Sequence, residues 1–151
     1  MTEEASLELT KLFEFNIPQR WSVAHLYQAI LNQETHVKNI EFLTTLAGYV
    51  HWQLTDQKVI GIGDASGMFP IDEKTGSYSQ RMLSQFDSLK SVQQYNWHIQ
   101  DLLPKPLTAG EVGGYLTEKG ARLLDPSGNL SAGATIAPPE GDAGTGMVST
   151  C

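Results

Sequence analysis

The sequence predicts an α/β chain, helix-rich over residues 1–103 and running strand, helix, strand over 104–151. Two patterns carry most of this: apolar residues recur at helical spacing before residue 87, and the runs between them are short and β-rich. A third observation is the closing stretch, 137–151, where Pro138 and Pro139 precede Glu140, Gly141, Asp142, Ala143, Gly144, Thr145 and Gly146. The two prolines exclude a helix interior and a central strand there.

Leu7, Leu9, Leu12, Phe13 and Phe15 predict a short helix over 5–15, closed by Asn16-Ile17-Pro18. Ser22 is placed to cap a second helix, carrying Val23, Leu26, Tyr27, Ile30 and Leu31 and ending near Asn32. The strongest stripe is Phe42, Leu43, Leu46, Ala47, Val50 and Leu54, a third helix with Asn39 as its cap. Thr55-Asp56-Gln57 is turn chemistry. Residues 59–62 are β-rich, 63–67 a loop, 68–71 extended and 72–76 a surface turn. Ser79 then caps a helix holding Met82, Leu83 and Phe86.

The pattern fades after Asp87, and Leu102-Leu103-Pro104-Lys105-Pro106 reads as a boundary where alternate prolines interrupt regular structure. Val112, Tyr115 and Leu116 mark a strand. Thr117 caps a short helix to Leu124, weakened by Gly120. Residues 126–129 form a loop, and 134–137 a strand that leads into the closing turn.

At 151 residues the chain can bury roughly 70% of its unfolded surface. Hydrophobic content of 40% against 18% charged fits a folded protein. The net charge of -7, with ten scattered Lys and Arg, argues against nucleic acid as a partner. No apolar run approaches the roughly 20 residues of a membrane span. The start, Met1-Thr2-Glu3-Glu4, lacks the basic and apolar segments of a signal peptide. The single cysteine, Cys151, cannot form an internal disulfide. A soluble, cytoplasmic protein is the expectation.

Asp142 is the candidate for chemistry. Neighbouring glycines allow close approach of a ligand to the backbone, and a carboxylate there can take a proton from a substrate hydroxyl. The alternative is a polar residue on a frayed terminal loop. Gly141, Gly144 and Gly146 do not have the spacing of a dinucleotide fingerprint or a Walker loop. Asp64 and Ser66 could belong to a catalytic pair, but both favour turns by bonding their own backbone, and the structural role is preferred. His25, His36, His51 and His98 have no metal-ligand spacing, and His51 is read as packing or capping a helix. Cys151 has no neighbouring base.

Five segments in order resemble the FGGY carbohydrate kinases, the group containing xylulokinase, gluconate kinase and glycerol kinase. Trp21-Ser22-Val23-Ala24-His25-Leu26 resembles an aromatic-Ser helix start. Leu46-Ala47-Gly48-Tyr49-Val50-His51-Trp52-Gln53-Leu54-Thr55 resembles a helix ending in aromatic-x-Leu-Thr. Asp64-Ala65-Ser66-Gly67-Met68-Phe69 is similar to an (Asn/Asp)-Ala-Ser loop. Leu103-Pro104, then Gly110-Glu111-Val112-Gly113-Gly114-Tyr115-Leu116-Thr117, is similar to a proline-led strand. Gly133-Ala134-Thr135-Ile136-Ala137 and then Gly141-Asp142 resemble the strand before the family's Gly-Asp catalytic turn.

The resemblance implies a partial actin-like (ribonuclease H-like) domain over 1–151, the later part of the first of two such domains. It implies ATP-dependent phosphorylation of a small sugar or polyol, pentulose-like, with Asp142 as general base and Gly141, Asp142 and Ala143 beside the substrate. Many members carry Gln or Asn where this chain has Ala143, which removes one hydrogen bond to substrate. The family alignment also puts Arg20 where some members contact sugar. Arg20 could bind a hydroxyl or the acid group of a sugar acid, or be a surface residue beside Trp21.

ATP and Mg2+ are the cofactors of the complete family enzyme. Neither the Asp-x-Gly-Thr phosphate hairpin nor the second domain has a counterpart in these residues. Neither cofactor is therefore expected to bind well, and the chain alone is expected to be inactive. The rival reading is a non-catalytic remnant, or half of a split kinase needing a complementary chain. A stand-alone sugar- or anion-binding domain is a third. Self-association through exposed apolar surface is expected with any of them.

Overall fold

The structure, a computed structural model, describes residues 2–142. Helix α1, Thr2–Phe13, packs on α2, Ser22–Leu31. A 3-10 turn at Val37–Asn39 and an extended segment lead to α3, Leu46–Thr55. Strand β1, Val59–Gly61, runs into the single-turn helix α4, Ile62–Ala65. A hairpin of β2, Ile71–Asp72, and β3, Ser77–Tyr78, precedes α5, Gln80–Asp87, and α6, Ile99–Leu102. Strand β4, Lys105–Leu107, β5, Gly114–Tyr115, α7, Glu118–Leu124, and β6, Thr135–Ile136, complete the described order.

The core is an aromatic and aliphatic cluster centred on Phe69. Its ring meets Phe13 at 5.7 Å, Tyr78 at 6.2 Å and Phe86 at 6.4 Å between centroids, all edge-on, the arrangement the ring quadrupoles prefer. These rings come from α1, the hairpin, α5 and the segment after α4, so one buried side chain ties four parts of the chain together. Side chains of α5 also finish α1: Arg81 Nη2 donates to the Phe13 carbonyl at 2.9 Å and Gln85 Nε2 to that of Leu12 at 2.9 Å. They satisfy carbonyls that the helix end leaves without partners.

Several sequence expectations shift in detail. Helix α1 begins at Thr2 and stops at Phe13, because Glu14 takes a left-handed φ of 52°. The cap position of α2 is Trp21, with Ser22 already inside the helix, and Ser79 stands at the cap of α5 but makes no side-chain cap bond. Helix α3 starts at Leu46, not near Phe42, and its cap is Thr45, not Asn39. Phe42 and Leu43 lie in the extended segment, where the Leu43 amide donates to the Leu102 carbonyl at 2.8 Å. The expected loop at 63–67 contains the last turn-forming residues of α4. Within 68–71, only Ile71 is in a strand.

The prolines at 104 and 106 do not prevent a strand. Strand β4 pairs in parallel with β1, Ile60 opposite Pro106. Lys105 donates its amide to the Lys58 carbonyl at 3.1 Å, so by strand alternation the missing N–H of Pro106 falls on the open side. This pair joins the helix-rich part to the part beyond residue 103. The third two-stranded pair is antiparallel, Gly114 opposite Ile136 and Tyr115 opposite Thr135.

Thr117 does cap α7, its Oγ1 accepting from Gly120 N at 2.9 Å. Gly120 is there for packing: a Cβ would stand 2.3 Å from the Leu54 carbonyl oxygen. The helix trades propensity for a close crossing with the end of α3.

Candidate functional site

Asp142 reaches its place through a chain of backbone positions. His51, buried on α3, makes a 3.0 Å hydrogen bond through Nε2 to the Gly113 carbonyl, which requires the proton on that nitrogen. The Gly113 amide in turn donates to Ile136 O at 2.9 Å. Gly113 also lies so close to the outgoing chain that a Cβ would sit 2.7 Å from Ala137 O and 2.9 Å from Pro138 N. The strand and its prolines are therefore set against α3, and residues 140–142 follow from that support.

A second anchor is Glu140. Its carboxylate accepts from Gly63 N at 3.2 Å and from Asp64 N at 2.9 Å, while Gly61 N donates to Pro139 O at 2.7 Å. Glycine at 61 and 63 makes room. A Cβ on Gly61 would be 2.1 Å from Glu140 Oε1, and one on Gly63 would be 2.7 Å from Oε2. In the sequence alone Glu140 is only one residue of the turn. The signal available was the alternation Gly61-Ile62-Gly63, two positions without side chains just ahead of an acid.

Asp64 is held from the other side. Thr45 Oγ1 donates to its Oδ2 at 2.6 Å while accepting from Gly48 N at 3.2 Å, so one hydroxyl both caps α3 and orients the carboxylate. Asp64 Oδ1 lies beside Gly141, 3.3 Å from where a Cβ would be. Ser66 turns its hydroxyl not to the Asp64 carboxylate but to the Gly63 carbonyl at 2.6 Å, a local bond.

Thr45, His51, Asp64, Glu140, Gly141 and Asp142 line a cleft of about 660 Å3. One wall is apolar: Leu46, Ala47, Val50 and Leu54 from α3, with Ile136, Ala137 and Pro139 opposite. The polar lining is Thr45, His51 and the carboxylates of Asp64, Glu140 and Asp142, with no Lys or Arg among the described lining residues. Behind Asp64, the buried Tyr78 hydroxyl has no hydrogen-bond partner among the described residues. Burial, and then the charge of Asp64, push its pKa well above the ordinary tyrosine value.

Of the site residues expected from sequence, Gly141 and Asp142 line this cleft, Gly141 half-buried and Asp142 exposed. Arg20 is exposed in the turn before α2, outside the cleft lining, where Trp21 lies 6.2 Å from the Phe15 ring. Ala143, Gly144, Thr145 and Gly146 lie outside the described residues, as does Cys151. No group of His, Cys, Asp and Glu suited to a metal ion occurs among the described residues, and no described helix is long and apolar enough to cross a membrane.

The arrangement of helices and strands is that of part of the solved sugar kinases. The chain superposes on a xyloylose kinase from Brucella ovis over 94% of its own length, with a TM-score of 0.69 and 16% identity. It superposes on the xylulose kinase from Rhodospirillum rubrum over 91%, with a TM-score of 0.65 and 18% identity. It spans about a quarter of the length of these chains, 27% and 25% respectively. No family model matches the sequence, and no curated protein does. At these identities the likeness establishes the shared fold.

Proposed function

We propose that this chain carries the sugar-binding and proton-accepting side of an FGGY-type carbohydrate kinase, in the later part of an actin-like first domain. The substrate is a small sugar or polyol, pentulose-like, bound in the cleft between α3 and the closing turn. Asp142 is the general base: as a substrate hydroxyl attacks a phosphoryl group, its proton passes to the Asp142 carboxylate. Gly141 and Ala143 adjoin the substrate. The observation that carries this reading is the convergence of Asp142 and Asp64 on one cleft, through Glu140, in a chain sharing its fold with two sugar kinases.

The cleft does not fit the phosphoryl donor. Its described lining holds three carboxylates and no Lys or Arg, the opposite of what a triphosphate requires. ATP and magnesium are therefore not assigned to these residues, and the 151 residues by themselves do not turn over. A complementary kinase chain is favoured by exposed apolar residues outside the cleft lining, among them Tyr49 on α3 at 49% and Leu123 and Leu124 on α7 at 62% and 57%.

The test is a coupled assay for ADP with the purified chain, ATP, magnesium and a panel of pentuloses, polyols and sugar acids, beside calorimetric titration of the same panel. Binding of a pentulose or polyol without turnover is the expected result. Turnover abolished by Asp142→Asn would keep the base and overturn the inactivity; turnover surviving that change would overturn the base. Absence of any binding would overturn the sugar site.

A further inference from the structure

The three carboxylates in the cleft are not equivalent. Glu140 is occupied by the amides of Gly63 and Asp64. Asp142 stands at the rim and is exposed. Asp64 is half-buried, fixed through Oδ2 by Thr45, and its Oδ1 lies beside Gly141, 3.3 Å from where a Cβ would stand. A carboxylate held at one oxygen and directed along a cleft wall is a preorganised acceptor for a hydroxyl, and such charge-assisted bonds are about twice as strong as neutral ones.

The surrounding charge decides which hydroxyl compound is accepted. Arg20, the cation that the family resemblance sets beside a sugar, is not in the lining, nor is any other Lys or Arg among the described lining residues. Residues 143–151 contain no Lys or Arg either. An anionic substrate would enter a site that already holds three negative groups, with an apolar wall that raises their mutual repulsion.

We infer that Asp64 is a specificity-determining residue of this cleft, accepting a hydrogen bond from a second hydroxyl of a neutral polyol and excluding sugar acids and sugar phosphates of the same size. The inference rests on the sugar-site reading above. It departs from the sequence reading of Asp64, in which the residue chiefly shaped a turn. Asp64 binds and selects; it takes no proton in the reaction.

Calorimetric or NMR titration of the full chain tests this, with a neutral pentulose, the sugar acid of matching length and a pentulose phosphate as probes. The wild type is expected to bind the neutral sugar at least about tenfold more tightly than either anion. Asp64→Asn keeps the shape and an acceptor for Thr45. It should weaken the neutral sugar about tenfold while the anions gain, so the selectivity ratio collapses. Thr45→Val removes the anchor but leaves the charge; it should weaken the neutral sugar while the anions stay excluded. Thermal melts of each variant confirm folding.

An unchanged selectivity ratio in Asp64→Asn would overturn the role of Asp64 and leave the sugar site standing. So would a wild type that prefers the anions. A wild type that binds none of the probes would overturn the sugar site itself, and this inference with it.

Discussion

Gly61→Ala is expected to act almost entirely through Glu140. The three nearest atoms to a Cβ at position 61 are Glu140 Oε1 at 2.1 Å, Cδ at 2.3 Å and Cγ at 2.8 Å. Ordinary contact begins near 3.4 Å, so the carboxylate must move by more than an ångström. That displacement breaks its bonds to the amides of Gly63 and Asp64. Those amides are only partly buried and water can replace the carboxylate, so the bonds together are worth about 1 kcal/mol. Relieving the overlap costs about 1–2 kcal/mol more. Gly61→Ala should therefore destabilise by about 2–3 kcal/mol, and Glu140→Ala by about 1 kcal/mol.

In the double variant the clashing atoms are gone. Gly61→Ala should then add less than about 1 kcal/mol, a coupling of roughly 1.5–2 kcal/mol against the few tenths expected of independent sites. Urea unfolding of the four proteins measures it, and in a chain this long each kcal/mol is worth about 2–4 °C in Tm. Costs that simply add would refute the docking of the closing turn onto β1 and α4 through Glu140.

Other consequences are separately measurable. Gly120→Ala gains about 1 kcal/mol of helix propensity but puts a Cβ 2.3 Å from Leu54 O, against backbone that cannot easily yield. Overpacking of about 1–3 kcal/mol should win, giving net destabilisation in thermal melts; a stabilised variant would mean α3 and α7 do not cross closely. His51→Leu leaves the buried Gly113 carbonyl without its partner and should cost about 1–3 kcal/mol, with faster hydrogen exchange at 113–116 and 134–137. Unchanged exchange would mean the bond does not position the outgoing strand.

Tyr78 keeps its proton in the folded chain above the ordinary tyrosine pKa of 10.0, so its contribution to stability is intact below that pH. It is lost as pH rises toward the folded value, because only the unfolded chain has released the proton. Tyr78→Phe should flatten this alkaline loss. Near neutrality it should leave stability unchanged or raised by up to about 1 kcal/mol, since the hydroxyl it removes has no partner among the described residues. An alkaline slope identical to wild type would refute the assignment.

What the sequence made legible follows physical scale. Helices α1, α2, α3 and α5 were visible because apolar residues recur along each at helical spacing, and α7 because Thr117 marks its cap. The beginning of α3 was not, because Phe42 and Leu43 continue the helical spacing while the Leu43 amide pairs with Leu102, a partner far along the chain. Strand β4 was hidden by its prolines, whose tolerance depends on which side of the strand faces β1. Helix α6 is only four residues long, too short for a periodicity to register.

The site divides in the same way. Asp142 and Gly141 could be picked out from local glycine chemistry and motif order. Glu140, Thr45 and the orientation of Asp64 depend on bonds between residues 19 to 77 apart in sequence. No local pattern encodes such distances, although the glycines at 61 and 63 mark where space is needed.

The most direct test of the central reading is a two-dimensional NMR titration of the 15N-labelled chain with a neutral pentulose. The expected result is saturable shifts confined to the cleft, at Thr45, Gly48, Gly63, Asp64, Gly141 and Asp142, and abolished by Asp142→Ala in a protein that remains folded. Saturable shifts clustered elsewhere, or none at any sugar concentration, would contradict the assignment of the cleft between α3 and the Asp142 turn as a sugar site.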